Sequence, residues 1–203
     1  MKRTIWSVGC LLLMALSWQA GAFNENDLQK LKASNECQQC DLIGVNLAKE
    51  NLERVNLTGS DLTGANLERA NLTGANLADA ILVRANLGGA MLTRANLHKT
   101  SLLNADCSGA DLTGADMTEA YLEDTNFTDA TLKDTDMTGV YMEATNLEGA
   151  NLVGSNLTGA YLEGVKLTKT NLTGADLSLV KGLDAVTLCE TIMPDGVVNN
   201  SGC

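Results

Sequence analysis

The sequence predicts an all-β solenoid, a rod built of stacked square coils. Three observations lead there. From Leu42 to Leu177 every fifth residue is Leu, except Cys107, Met117, Phe127, Met137 and Met142, which makes 28 repeats without insertion or slip. A small or short residue stands two places before each of them except Leu52, where Glu50 does, and usually Asn or Asp one place before, as in Ala65-Asn66-Leu67. Two places after, Gly recurs in 13 of the 28 repeats. A period of five matches neither the 3.6 of a helix nor the 2.0 of a plain strand. It suits a chain that turns a corner once per repeat.

The first element, residues 1–22, reads as a secretory signal peptide. Lys2 and Arg3 form a basic start, Ile5 to Trp18 is apolar, and Ala20-Gly21-Ala22 is a small-x-small cleavage pattern. The apolar run falls short of the roughly 20 residues of a membrane span, so no stable membrane insertion is expected. Cys10 lies inside the run, with most of it following, and is not read as a lipid-anchor cysteine. Cleavage after Ala22 leaves 12 basic and 25 acidic side chains, a balance of −13. Such acidity argues against nucleic acid and anionic lipid as partners.

Residues 23–40 form the expected N-terminal cap. Asn24 to Glu36 reads as a short helix with Asn24 or Asn26 as N-cap and Leu28 and Leu31 on one face. It would cover the first coil.

Residues 41–180 are the repeats. With Leu at position i, the small residue at i−2 points the same way and the polar residue at i−1 the other, as on a short strand. Leu and Ala therefore face inward, and Asn and Asp face water. Positions i+1 and i+2 make the corner, where positive φ favours Gly. Four corners close a coil of twenty residues, so the repeats give about seven coils and a rod of roughly 34 Å at the strand spacing. Glu50 breaks the small-residue rule at i−2 and is expected to point inward in the first coil. Cys107, at an i position, is expected to replace Leu in the core.

The pattern as it stands in Ala65-Asn66-Leu67-Glu68-Arg69 resembles the pentapeptide-repeat family over residues 40–180. The resemblance implies a right-handed quadrilateral β-helix, here with a short N-terminal capping helix.

Residues 181–203 leave the repeat, hold the only Pro, and are expected to cap the C-terminal end. Cys37-x-x-Cys40 is open to three readings: a redox motif, half a zinc site, or a structural disulfide. The rod would separate Cys37 and Cys40 from Cys189 and Cys203 by its full length, against a four-cysteine metal site, and the motif follows a helix where redox motifs precede one. In an exported chain two disulfides, Cys37–Cys40 and Cys189–Cys203, are the expectation. Similar exported pentapeptide proteins carry a comparable Cys-x-x-Cys-Asp-Leu start and Met-Pro-Asp-Gly…Gly-Cys end, which the resemblance associates with caps.

The parts of an enzyme are missing from this pattern, and no catalytic residue, cofactor or metal is expected. His98, the sole histidine, falls at the outward i+1 position with no nucleophile beside it. The glycines are corner residues and form no phosphate loop. Instead the sequence maps faces, because residues twenty apart stack. One face carries Tyr121, Tyr141 and Tyr161 at i−1 and Glu123, Glu143 and Glu163 at i+1, preceded by Ile81, Val83 and Leu103. Stacked tyrosines can simply brace neighbouring coils; an apolar-to-aromatic stripe is also a candidate protein contact. Residues 41–100 hold six basic and six acidic side chains, whereas 101–180 hold three and thirteen, so the lower half is strongly negative. The function expected is a non-enzymatic rigid scaffold or protein-interaction module in the periplasm or outside the cell, with an unidentified protein partner or a second copy of the chain on the Tyr/Glu face. The alternative is an acidic DNA mimic that binds a DNA-binding protein such as gyrase, as some pentapeptide-repeat proteins do; the signal peptide would send the chain away from that target. A thiol enzyme built on Cys37 and Cys40 is the third reading.

Overall fold

The computed structural model describes residues 23–203, so the expected signal peptide at 1–22 lies outside the described residues. The chain pairs with itself through parallel bridges one residue long, each joining an i−1 residue to the one twenty positions on. A single column runs Asp41, Asp61, Ile81, Ser101, Tyr121, Tyr141, Tyr161, Lys181. A turn follows each bridge, so four bridges and four turns make a coil.

Five backbone N–H groups per repeat must find acceptors, and one repeat shows where all five go. The N–H of Leu62 donates to Ile81 O and that of Gly64 to Val83 O, both in the next coil (2.7 and 2.8 Å). The N–H of Ala65 closes the corner on Leu62 O (2.9 Å), and that of Asn66 reaches back to Val45 O in the preceding coil (2.8 Å). The fifth, on Thr63, donates to Asp61 Oδ1 (2.9 Å). Where Asn or Asp stands at i−1 it is therefore more than a solvent-facing residue: its side chain accepts the one N–H that neither corner nor ladder uses.

The i and i−2 side chains fill the interior as expected, with Met117, Phe127, Met137, Met142 and Cys107 buried among the leucines. Where i−2 is Thr, the hydroxyl is buried and satisfied, as when Thr125 Oγ1 donates to Leu102 O at 2.7 Å. Position i+2 has positive φ in every repeat, including the 15 where it is not glycine. The corner geometry thus comes from the ladder, whose i+2 N–H must reach the next coil, and glycine only eases it.

Helix α1, Glu25–Ser34, closes the N-terminal end. Asn24 is its N-cap and accepts the Asn26 N–H at 2.9 Å, while Leu28 and Leu31 are buried against the first coil. The Asn24 N–H donates to Asp41 O at 2.9 Å, tying the helix to the ladder, which begins at the Glu36–Asn56 bridge.

Pairing at the other end runs past position 180, with one change. Lys166 bridges Thr187 and Asn171 bridges Ile192, a spacing of 21 instead of 20. The extra residue is taken up at a 3₁₀ turn, Leu183–Ala185, behind Gly182. Strand β1, Thr191–Ile192, then pairs antiparallel with β2, Val198–Asn199, across the end.

Candidate interaction face

The tyrosine column is a real stack. Residues 121, 141 and 161 share a bridge position, which holds their rings one coil apart. The Tyr121 and Tyr141 rings lie 5.3 Å apart at 8°, and those of Tyr141 and Tyr161 4.8 Å apart at 10°. Each residue keeps about two fifths of its surface exposed (42, 38 and 37%). Ring faces are spent on one another while edges and hydroxyls meet solvent. Lys181 closes the lower end: its Nζ lies 4.4 Å from the Tyr161 ring centre and donates to Tyr161 Oη at 3.0 Å.

The glutamates at i+1 run parallel to the stack. Between the two columns lies a cleft of about 160 Å³, lined by Glu123, Glu143 and Glu163 on one side and by Tyr141, Tyr161 and Lys181 on the other. Glu143 and Glu163 are exposed, and Glu123 is half-buried. Its Oε2 is enclosed and has no hydrogen-bond partner, alone in this among the described residues. Toward the N-terminus the face continues into Ile81, 40% exposed, and the half-buried Val83 and Leu103.

Sequence reasoning missed a third property of this face. From Ile81 to Tyr161 no Asn or Asp stands at i−1. The outward N–H groups of residues 83, 103, 123, 143 and 163 therefore lack the Asx acceptor that Thr63 finds on Asp61. Only the Asx bookkeeping of the corners would have revealed this, and the replacement of Asp61 by Ile81 down the column was the visible sign.

The cysteines form two disulfides, Cys37–Cys40 and Cys189–Cys203. Cys107 is a free thiol in the core, and burial, helped by the nearby Asp106 carboxylate, raises its pKa far above the ordinary thiol range. A thiol so rarely ionised is inert. His98 is half-buried at its corner, with Nδ1 2.7 Å from Thr118 Oγ1. Glu50 departs from expectation: it is exposed. It belongs to the first coil, with no coil above that corner, and its carboxylate reaches water instead of the interior. Among the described residues, no three His, Cys, Asp or Glu side chains gather in a way that would hold a metal ion. None of the described helices is long and apolar enough to cross a membrane.

The sequence model for pentapeptide repeats matches in eight copies, at residues 36–74, 70–104, 105–143 and 141–178. No curated protein matches. Among solved structures, a trypsin-treated form of QnrB1, a plasmid-mediated fluoroquinolone resistance protein, superposes with a TM-score of 0.57 at 21% identity, over 67% of this chain and 75% of that one. A pentapeptide repeat protein from the thylakoid lumen of Arabidopsis thaliana is 34% identical over 53% of this chain and 68% of its own, with a TM-score of 0.40. HetL, a pentapeptide repeat protein involved in heterocyst differentiation regulation from the cyanobacterium Nostoc sp. strain PCC 7120, is 24% identical over 87% of this chain and 99% of its own, with a TM-score of 0.30.

Proposed function

This chain belongs to the pentapeptide-repeat family, and we propose that it is a non-enzymatic, rigid interaction module that offers its Tyr/Glu face to another protein. Members of the family fold as right-handed quadrilateral β-helices and are in general structural or interaction modules. The observation that carries the reading is the concentration on one face of exposed stacked rings, a carboxylate column and backbone donors without Asx acceptors. A rod of about seven coils under a helical cap keeps these groups at fixed spacing, so binding would cost little ordering of the face. We place the protein in the periplasm or outside the cell, on the strength of the basic start, apolar run and Ala20-Gly21-Ala22 pattern and of two disulfides.

The test is a pull-down from periplasmic extract with wild type and the Tyr121→Ala/Tyr141→Ala/Tyr161→Ala variant, after matching their thermal unfolding. A partner captured by wild type and lost in the variant supports the reading. Equal capture by both would mean that the tyrosines only brace the coils.

A second reading has one observation behind it, the thirteen acidic against three basic side chains of residues 101–180. An acidic cylinder of this kind would imitate duplex DNA toward a DNA-binding protein such as gyrase. Inhibition of purified gyrase by the mature chain, relieved by neutralising carboxylates on faces other than that of the tyrosines, would favour it.

A further inference from the structure

We infer that the Tyr/Glu face receives a basic amphipathic helix of a partner protein, laid along the rod. The inference rests on the reading of this face as an interaction surface and adds the chemistry and shape of its occupant.

Charge decides the first point. Glu123, Glu143 and Glu163 form one edge of the cleft, and the enclosed Glu123 Oε2 has no donor among the described residues. The cation of this column, Lys181, is already engaged with Tyr161 at the lower end. A second copy of the chain would bring the same carboxylates and a net charge of the same sign to the contact. The complement must come from lysine or arginine side chains of another molecule.

Spacing decides the second. Rungs of the ladder stand about 4.8 Å apart, so the three glutamates span about 9.6 Å. Two turns of an α-helix span about 10.8 Å, and a modest tilt or the flexible stem of a lysine absorbs the difference. An extended strand presents same-side residues about 6.7 Å apart and would miss the third glutamate by roughly 4 Å. The wall from Ile81 through Leu103 to Tyr161 covers five rungs, four spacings or about 19 Å, which matches a helix of about 13 residues. An apolar stripe would lie on Ile81, Leu103 and the tyrosine edges, with its basic flank on the glutamates.

The experiment uses the mature protein and a fluorescent, stapled helical peptide of about 14 residues with a leucine stripe flanked by lysines. Two comparison peptides carry the same residues with the helix broken by D-amino acids, or glutamate for lysine. Anisotropy titration should show binding of the helical basic peptide alone. Glu123→Gln/Glu143→Gln/Glu163→Gln should weaken it about tenfold, as expected of three partly exposed ion pairs. Asp116→Asn/Asp136→Asn/Asp176→Asn removes equal charge from another face and should change affinity less than about twofold. Equal weakening by both variants, or equal binding of the helical and broken peptides, overturns the inference, since bulk acidity would then explain the attraction. So does absence of binding. If the tyrosine variant still loses its extract partner in that case, the face reading stands and only the helical occupant falls. If it does not, both fall.

Discussion

The two ends of the rod solve one problem in opposite ways. A ladder must stop somewhere, and its last rung leaves unpaired backbone and open core. At the N-terminal end the cap joins the ladder in register: Glu36 bridges Asn56 at the usual spacing, α1 seats Leu28 and Leu31 on the first coil, and Cys37 and Cys40 are both buried. At the C-terminal end the register itself changes to 21, a 3₁₀ turn intervenes, and Leu179, Val197 and Val198 stand 79, 60 and 53% exposed. The first cap is a continuation of the ladder, sealed by a helix. The second is a stopper, fastened by a hairpin and by a disulfide whose Cys203 is exposed.

That difference can be broken where it is largest. Leu31→Ala, which empties a site 3% exposed under the helix, should cost about 2–4 kcal/mol in urea unfolding. Val198→Ala should stay within about 0.5 kcal/mol. Equal costs would mean that the hairpin, too, is part of the core. The staples should separate next. Under mild reductant, alkylation followed by mass spectrometry should find Cys189 and Cys203 modified well before Cys37 and Cys40, whose burial keeps reductant out. Early modification of Cys37 would show that α1 opens readily.

Gly182 tests the register change itself. Its φ is 77°, and an added Cβ would lie 2.9 Å from the Glu163 backbone nitrogen. Gly182→Ala should cost about 1–3 kcal/mol and speed hydrogen exchange around the Lys166–Thr187 bridge. Gly174→Ala has the same hand of φ but meets nothing within 4 Å, and should cost only about 1 kcal/mol.

The smallest effect expected is on acid stability in the middle of the rod. Burial pushes the Asp111 carboxyl up, but hydrogen bonds from the Thr113 hydroxyl and N–H and from the Thr93 hydroxyl outweigh it and leave the pKa below the ordinary value. A lowered folded pKa stabilises the fold at pH above the unfolded carboxylate range, and the gain is lost as pH falls through that range toward the folded value. Asp111→Asn keeps an Oδ1 acceptor, so the acid limb of stability against pH should flatten while neutral stability changes little. An unchanged acid limb would show that Asp111 does not link protonation to folding.

Much of the fold could be read from residues because each coil repeats the same local chemistry. Leu67 and Ala65 share a direction, Asn66 opposes them, and 28 copies leave no other arrangement. The helix was legible from Asn24, Leu28 and Leu31. The slip at Lys181–Ile192 was not, because one added residue alters pairing without altering composition. Glu50 misled because an i−2 position fixes burial only inside the rod: in the same first coil Cys40 and Val45 are buried, whereas Glu50 is exposed. On the candidate face the columns followed from counting by twenty. The backbone donors did not, since they depend on what an Asx side chain does elsewhere, and Lys181 lay beyond the boundary at which the pattern ends.

Counting by twenty also makes the rod a kind of modular arithmetic in protein form. Removal of twenty residues between Leu62 and Leu122 would shorten it by a rung and return every later side chain to its own side. Removal of five, a single repeat between Ile81 and Tyr121, would turn all that follows by a quarter and carry Tyr121, Tyr141 and Tyr161 away from Ile81 to a neighbouring side. Length in this chain is therefore free to drift in whole coils, while direction is locked to the remainder after division by four repeats.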